Sequence, residues 1–511
     1  MHLENKTLDK NSLLEFVDQI RRESSVVIDP DKQIELGQFF TSSKIASLMA
    51  SMFNEGKRTV RLLDAGAGVG SLSAAFIVEM CCGEIKPKEI SIVAYEKDPI
   101  LLSFLFKTRE FCNHFCKQIG VKLNWEILNR DFIEESITLL RNNEVEVLQF
   151  QRFDCAILNP PYRKLHSNSL ERKLLKGIDI ETSNLYSAFV ILAMRLLKRN
   201  GELVAITPRS FCNGPYFKSF RIEILNETTF RHIHTFDSRR STFSEDGVQQ
   251  ENIIFKLIKG KPQNNYNVTI SSSFVGTDEI AKYNIRYDQF VQPNDKEKFI
   301  RILKNDSEYQ ISDQIDRLGN TLEDLGISVS TGKVVDFRSK EYLRKDSFHG
   351  TVPLIYSSHF EDGFVKWPKV NSKKQDSIIQ NHETERLLLP SGFYVLVKRF
   401  SSKEERRRVV AAIYDPRKVA FSKVGFENHV NYYHINGEGL TEGIAKGLAM
   451  FLNSSLIDSY LRQFNGHTQV NATDLRNLKY PNIEQLEKIG KRIGIQFPEQ
   501  NDIDLMISEL F

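Results

Sequence analysis

The chain lacks most features that would place it outside a reducing, aqueous compartment. Its 511 residues contain no apolar run of about eighteen, and no signal peptide is recognisable, so neither a membrane span nor secretion is expected. Six cysteines, at 81, 82, 112, 116, 155 and 212, form no CxxC pair. Cys112 and Cys116 flank His114 on an expected helix, but a metal would need more ligands at suitable spacing, so they read as buried free thiols and no metal site is expected. No sign of charge predominates, with 69 Lys and Arg against 66 Asp and Glu, so any basic surface must be local. There is no internal repeat, no low-complexity tract and no acid-acid-lysine cluster of a fused nuclease; Asp415-Pro416 before Val419-Ala420 is too thin a match. What remains fits a cytoplasmic protein long enough for two or three domains.

Among what is present, Asn159-Pro160-Pro161-Tyr162 carries the most information. It follows Phe153-Asp154-Cys155-Ala156-Ile157-Leu158, a short apolar run that predicts a buried strand. Two consecutive prolines cannot continue a helix or a central strand, so they fix a stiff turn at the strand's carboxyl end, where open α/β sheets place their ligands. The turn presents an amide side chain, backbone carbonyls and an aromatic ring, a set suited to a flat nucleobase carrying an exocyclic amine.

A second group lies upstream. Val60-Arg61-Leu62-Leu63-Asp64 predicts another buried strand, and Ala65-Gly66-Ala67-Gly68-Val69-Gly70 follows at once, ahead of an expected helix over 71–80. Glycines let the chain turn tightly and approach a ligand closely, and Asp64 stands where a carboxylate can hold a ligand ammonium. Ile92-Val93-Ala94-Tyr95-Glu96 is a further strand ending in an acid, at the position expected to hold ribose hydroxyls. After Leu123 to Leu128, a third expected strand, come Asn129-Arg130-Asp131-Phe132. Asp131 is either an acceptor for an adenine amine, with Phe132 packed on the ring, or a helix cap.

These residues resemble the class I S-adenosylmethionine-dependent methyltransferases, and the NPPY places the chain with the amino-methylating DNA enzymes. The resemblance implies that Asp64, Gly66, Gly68 and Gly70 form the loop for the cofactor's methionine, that Glu96 binds its ribose, and that Asp131 and Phe132 contact its adenine. Leu36-Gly37-Gln38-Phe39-Phe40-Thr41 resembles the segment that closes over the cofactor in the gamma order of motifs, with Phe40 and Thr41 as cofactor contacts. The TaqI-like type II modification enzymes share that order. A mostly parallel, Rossmann-like α/β domain is therefore expected, followed by a mixed α+β target recognition domain. The expected divisions are an N-terminal helical segment at 1–30 (Leu13, Leu14, Phe16, Val17 and Ile20 on one face), the cofactor-binding domain at 31–265, a connecting segment at 266–312 after a Gly-Lys-Pro break, and the recognition domain at 313–511.

The chemistry follows from the NPPY. An adenine amine is a poor nucleophile because its lone pair is delocalised into the ring. If the Asn159 oxygen and the Pro160 carbonyl accept its two hydrogens, the lone pair turns outward and needs only alignment with the sulfonium methyl. Pro161 stiffens the turn, and Tyr162 is expected to stack on a base that has left the duplex. Phe243, in Thr242-Phe243-Ser244, is the expected second aromatic wall, against the alternative of an ordinary core phenylalanine. Arg239-Arg240 nearby read equally as phosphate contacts or as solvated arginines. Asn184-Leu185-Tyr186 reads either as pocket lining or as core.

Beyond residue 313 short strands alternate with basic and aromatic residues. Lys398, Arg399, Arg406 and Arg407, with Arg408 beside them, form an expected phosphate-binding strip. Gln469 and Asn471, in Gly466-His467-Thr468-Gln469-Val470-Asn471, carry amides that can read adenine edges or hold backbone.

The favoured function is adenine-N6 methylation of double-stranded DNA with S-adenosylmethionine, in the bacterial cytoplasm at the nucleoid. The resemblance implies a monomer working beside a separate restriction endonuclease encoded nearby. Methylation of RNA or of a protein glutamine amide is the alternative. Cytosine-N4 methylation is chemically open, and a DNA-binding module that only senses cofactor is disfavoured by the intact loop and NPPY.

Overall fold

The computed structural model describes residues 8–511 except 30, 32–36, 142–151, 237–250, 261–265, 274–279, 370–373, 402–404 and 467. The chain divides into two compact units, Met1–Phe211 with Tyr216–Pro293, and Cys212–Pro215 with Asn294–Phe511.

The first unit is built on strands β1 (Thr59–Ala65), β2 (Glu89–Tyr95), β3 (Lys122–Leu128), β4 (Phe153–Leu158), β5 (Leu197–Pro208), β6 (Thr228–Phe236), β7 (Asn252–Lys259), β8 (Asn267–Ser273) and β9 (Ile280–Arg286). They form one sheet in the order β3-β2-β1-β4-β5-β7-β6-β8-β9. The first five run parallel, and β7 enters antiparallel between β5 and β6. From β1 the chain winds outward through β2 to β3, then returns to place β4 and β5 on the other side of β1. That reversal makes the carboxyl ends of β1 and β4 a topological switch point, where a crevice opens for a ligand.

Burial explains why the strands read as near-continuous apolar runs. Leu62, Leu63 and Ala65 of β1, and Ala156, Ile157 and Leu158 of β4, have no exposed surface. Both faces of a parallel sheet are covered, so alternation disappears. The helix Ser71–Cys82 packs against Ser43–Ala50 and Lys10–Val27, while Leu185–Leu196 packs on Phe132–Arg141. Both Ser71–Cys82 and Leu185–Leu196 are buried almost all round, as helices enclosed on all sides must be.

One stretch, 266–312, differs from expectation. The N-terminal helix belongs to the first unit: Leu13, Val17 and Ile20 are buried, and Leu13 and Val17 share a cluster with Ala46, Met49 and Phe76. The stretch 266–312 is not a connector throughout, because β8 pairs parallel with β6 and β9 pairs antiparallel with β8. Val268 and Ile270, two apart and buried, are the strand signal in this stretch.

The second unit holds a six-stranded and a five-stranded sheet of short strands and, toward its end, helices Glu442–Leu452, Ser455–Phe464, Ala472–Arg476, Ile483–Gly490 and Gln500–Ser508. Its largest apolar cluster joins Val395, Val397 and Ile413 of the six-stranded sheet to Leu448, Phe451, Leu461 and Leu486 of the helices. Among the described residues no helix is long and apolar enough to cross a membrane.

Candidate active site

The turn after β1 carries Gly66, Gly68 and Gly70 at φ of +79°, +56° and +88°, a region closed to most L side chains. Gly70 stands at the start of the helix Ser71–Cys82, where a Cβ would lie 2.8 Å from a Leu105 methyl. With this loop, the ends of β2, β3 and β4 line a solvent-open cleft of about 870 Å³. Gln38, Phe39, Phe40, Gly66, Gly68, Glu96, Asp131, Phe132, Asn159 and Pro161 are in its wall.

Glu96 is 5% exposed, with Oε2 accepting from the Gly68 N–H (2.9 Å) and Oε1 from the Asp98 N–H (2.8 Å). Burial raises its pKa, and those backbone bonds oppose the rise. Asp131 Oδ1 accepts from the Ile133 N–H (2.9 Å), so the carboxylate caps the helix Phe132–Arg141, while Oδ2 meets Lys97 Nζ at 3.2 Å. The capping residue also lines the cleft. The Phe132 ring lies edge-on to Tyr95 (5.3 Å) and tilted against Phe189 (5.0 Å).

Asn159 is held from three sides. Its Nδ2 donates to the Phe39 carbonyl (2.7 Å) and to Thr41 Oγ1 (2.9 Å), and its Oδ1 accepts from the Tyr162 hydroxyl at 3.0 Å. That hydroxyl also reaches the Ile206 carbonyl (3.2 Å), and burial pushes its pKa up. The Tyr162 N–H donates to the Gly37 carbonyl at 2.9 Å. A Cβ on Gly37 would lie 2.9 Å from the Tyr162 backbone, so only glycine allows this approach.

Some expected residues stand apart from the cleft wall. Asp64, fully buried, accepts from Ser73 Oγ (2.6 Å), while Thr41 and Gly70 lie outside the lining. The tripeptide 184–186 divides: Leu185 lines the cleft, whereas Tyr186 is core, bonded to Ser210 Oγ (3.2 Å) and stacked on Phe217. Phe243 and Arg239-Arg240 lie outside the described residues.

In the second unit Arg399 Nη1 donates to the Asn428 carbonyl (3.1 Å) and Nη2 to Gln469 Oε1 (3.4 Å). Lys398 pairs with Glu405 (2.7 Å), Arg406 is exposed, and Arg407 is half-buried. Asn471 caps the helix Ala472–Arg476, its N–H bonded to Asp474 Oδ2 at 2.9 Å. Arg408 departs from the expected strip. It has no exposed surface and donates to Asn465 Oδ1 (2.6 Å) and Ser401 Oγ (3.0 Å), so a phosphate cannot reach it.

Comparison with known proteins adds the decisive observation. Residues 85–243 match the Eco57I restriction-modification methylase family. The type II methyltransferase M.PstI of Providencia stuartii is 43% identical over 98% of this chain and 97% of its own length. M.BsuBI of Bacillus subtilis, also a type II methyltransferase, is 44% identical over 98% of each. The chain belongs to the type II methyltransferases. Its activity is site-specific DNA methylation, and its cofactor is S-adenosylmethionine. A Type IIL restriction-modification enzyme, MmeI, solved in complex with DNA, shares the fold at a TM-score of 0.53, with 11% identity over 98% of this chain and 75% of that one.

The cleft of this methyltransferase suits that cofactor. Gln38 Oε1 is a buried acceptor in the wall with no hydrogen-bond partner among the described residues, and an ammonium donor would satisfy it. Aromatic rings at 40, 132 and 189 supply a flat apolar surface, and Glu96 supplies a carboxylate. Nothing in the sequence marks Phe189 or Lys97 as cleft residues. Phe189 sits in a helix whose every face is apolar, and only the fold brings its ring beside Phe132.

Burial, with a smaller contribution from Glu96, pushes the Asp64 carboxyl up to about 7. The folded cofactor-free protein therefore holds a proton there that the unfolded chain releases near 4. Stability from this group is greatest at low pH and is lost as pH rises from about 4 to 7, by roughly 4 kcal/mol in all. Denaturant titrations across this window should show wild type losing stability relative to Asp64→Asn as pH rises; a pH-independent difference would contradict the assignment.

Proposed function

We propose that this methyltransferase modifies the exocyclic N6 of an adenine swung out of double-stranded DNA. The state of the Asn159 amide supports this best. Both Nδ2 hydrogens have acceptors in Phe39 and Thr41, so the oxygen is the group the amide offers to a ligand. It has two lone pairs, of which the Tyr162 hydroxyl uses one. An acceptor oxygen beside the Pro160 carbonyl suits an amine with two hydrogens to donate. Drawing both hydrogens toward these oxygens localises the nitrogen lone pair. Pro161 stiffens the turn that holds the two acceptors. Bound S-adenosylmethionine supplies an electrophilic methyl on sulfonium, and the chain supplies alignment.

Glu96 would accept from the cofactor ribose, Asp131 and Phe132 would meet its adenine, and the turn at Gly66, Gly68 and Gly70 would take its methionine end with Asp64 and Phe40. The Tyr162 ring and Phe243 would bracket the extruded base. The second unit would serve as the target recognition domain, with Lys398, Arg399, Arg406 and Arg407 on phosphates and Gln469 and Asn471 near base edges. An asparagine at the head of the NPPY favours adenine over cytosine by resemblance. The enzyme would act as a monomer on one strand at a time, in the bacterial cytoplasm, protecting DNA from a companion endonuclease.

The test is transfer from labelled cofactor to duplex DNA, followed by digestion to nucleosides. N6-methyldeoxyadenosine is the expected labelled product. Label in N4-methyldeoxycytidine would overturn the choice of base, and label in RNA or protein with none in DNA would overturn the reading.

A further inference from the structure

Residues 37–41 are joined to the NPPY turn at successive points. The Gly37 carbonyl takes the Tyr162 N–H (2.9 Å), the Phe39 carbonyl and Thr41 hydroxyl take the two Asn159 amide hydrogens (2.7 and 2.9 Å), and the Phe39 ring lies 5.5 Å from the Tyr162 ring. Thr41 is 5% exposed and stands outside the cleft wall, although resemblance alone would make it a cofactor contact.

We propose that Thr41 is a positioning residue for methyl transfer, fixing the Asn159 amide in the orientation that the Phe39 carbonyl selects, with its oxygen turned to the substrate amine. A side-chain amide can rotate by half a turn with little change in shape, exchanging its acceptor for a donor. In the flipped state NH₂ would face the substrate amine, donor against donor, and Oδ1 would face the Phe39 carbonyl, acceptor against acceptor. The Phe39 carbonyl, which can only accept, sets the orientation; the Thr41 hydroxyl takes the second hydrogen and fixes the amide plane against rotation. The hydroxyl thus acts on the reaction through Asn159 and has no need to touch the cofactor. Gly37 keeps the segment close enough for both bonds, since any Cβ there would collide with the Tyr162 backbone.

This inference rests on the proposed role of Asn159 as amine acceptor, and the test separates the two. Thr41→Val keeps the shape and removes the hydroxyl; Thr41→Ser keeps the hydroxyl. Single-turnover transfer at saturating cofactor and DNA should fall about 10- to 100-fold in Thr41→Val and recover in Thr41→Ser, with cofactor Kd and melting temperature close to wild type. Thr41→Ala serves the same purpose if valine perturbs the fold. A loss confined to cofactor affinity, with the transfer rate unchanged, would make Thr41 a cofactor contact and overturn the proposal, as would wild-type behaviour on every count. Full turnover in Asn159→Ala would instead remove the underlying reading.

Discussion

Asn159→Ala is expected to lower single-turnover methyl transfer by about 10²- to 10³-fold, the usual cost of losing one aligned group that stabilises developing charge. Cofactor binding should change far less, because Glu96, Phe132 and the glycine turn remain. Some stability goes as well, since the change removes the amide donor to the Phe39 carbonyl and one of the two acceptors of the Tyr162 hydroxyl, which keeps the Ile206 carbonyl. Each buried group left unsatisfied costs about 1–3 kcal/mol. Rates should therefore be compared well below the variant's melting temperature. Asn159→Asp is the sharper variant: it keeps an acceptor oxygen but sets a second oxygen against the Phe39 carbonyl. It should be as inactive as alanine. An active Asp variant would show that any oxygen suffices and that the amide's orientation is irrelevant.

The second large effect is expected at Glu96. Its oxygens already anchor Gly68 and Asp98, and each keeps a lone pair for a ribose hydroxyl. Charge-assisted bonds of this kind contribute about 1.5–3 kcal/mol, so Glu96→Ala should raise the cofactor Kd by about 10²-fold. Glu96→Gln, which retains one acceptor and the shape, should lose about 10-fold. Because burial raises this carboxyl's pKa, affinity should weaken as pH falls through it, when a proton takes one acceptor. Calorimetric titration over pH checks the sign; affinity that improves on acidification would remove Glu96 from the ribose site.

Much of this site could be read before the fold was seen, for a physical reason. Strands at the centre of a parallel sheet are apolar throughout, and the turns that leave them need special residues: glycine at positive φ after β1, paired prolines after β4. Those signals are local. What escaped was non-local. Thr41 and Asn159 are 118 residues apart, and nothing in either segment announces that one hydroxyl will take the other's amide hydrogen. Phe189 hides among apolar neighbours on a helix buried almost all round. Arg408 belongs to a run of three arginines that reads as one solvated strip, yet its guanidinium turns inward to Asn465 and Ser401 while Arg406 stays exposed. Charge patterning gives composition, not direction. The strands β8 and β9 are not announced, because a Gly-Lys-Pro sequence reads as a domain end as readily as a turn.

Which atom receives the methyl group tests the proposed function most directly. Wild type and Asn159→Ala should each be expressed in a methylation-deficient bacterial host, and modified bases mapped across the genomic DNA by single-molecule sequencing. Wild type is expected to place N6-methyladenine at one short motif throughout the genome, and the alanine variant, expressed to the same soluble level, to leave that motif unmodified. Unmodified DNA from cells rich in soluble wild-type protein, or modification that persists without Asn159, would contradict it.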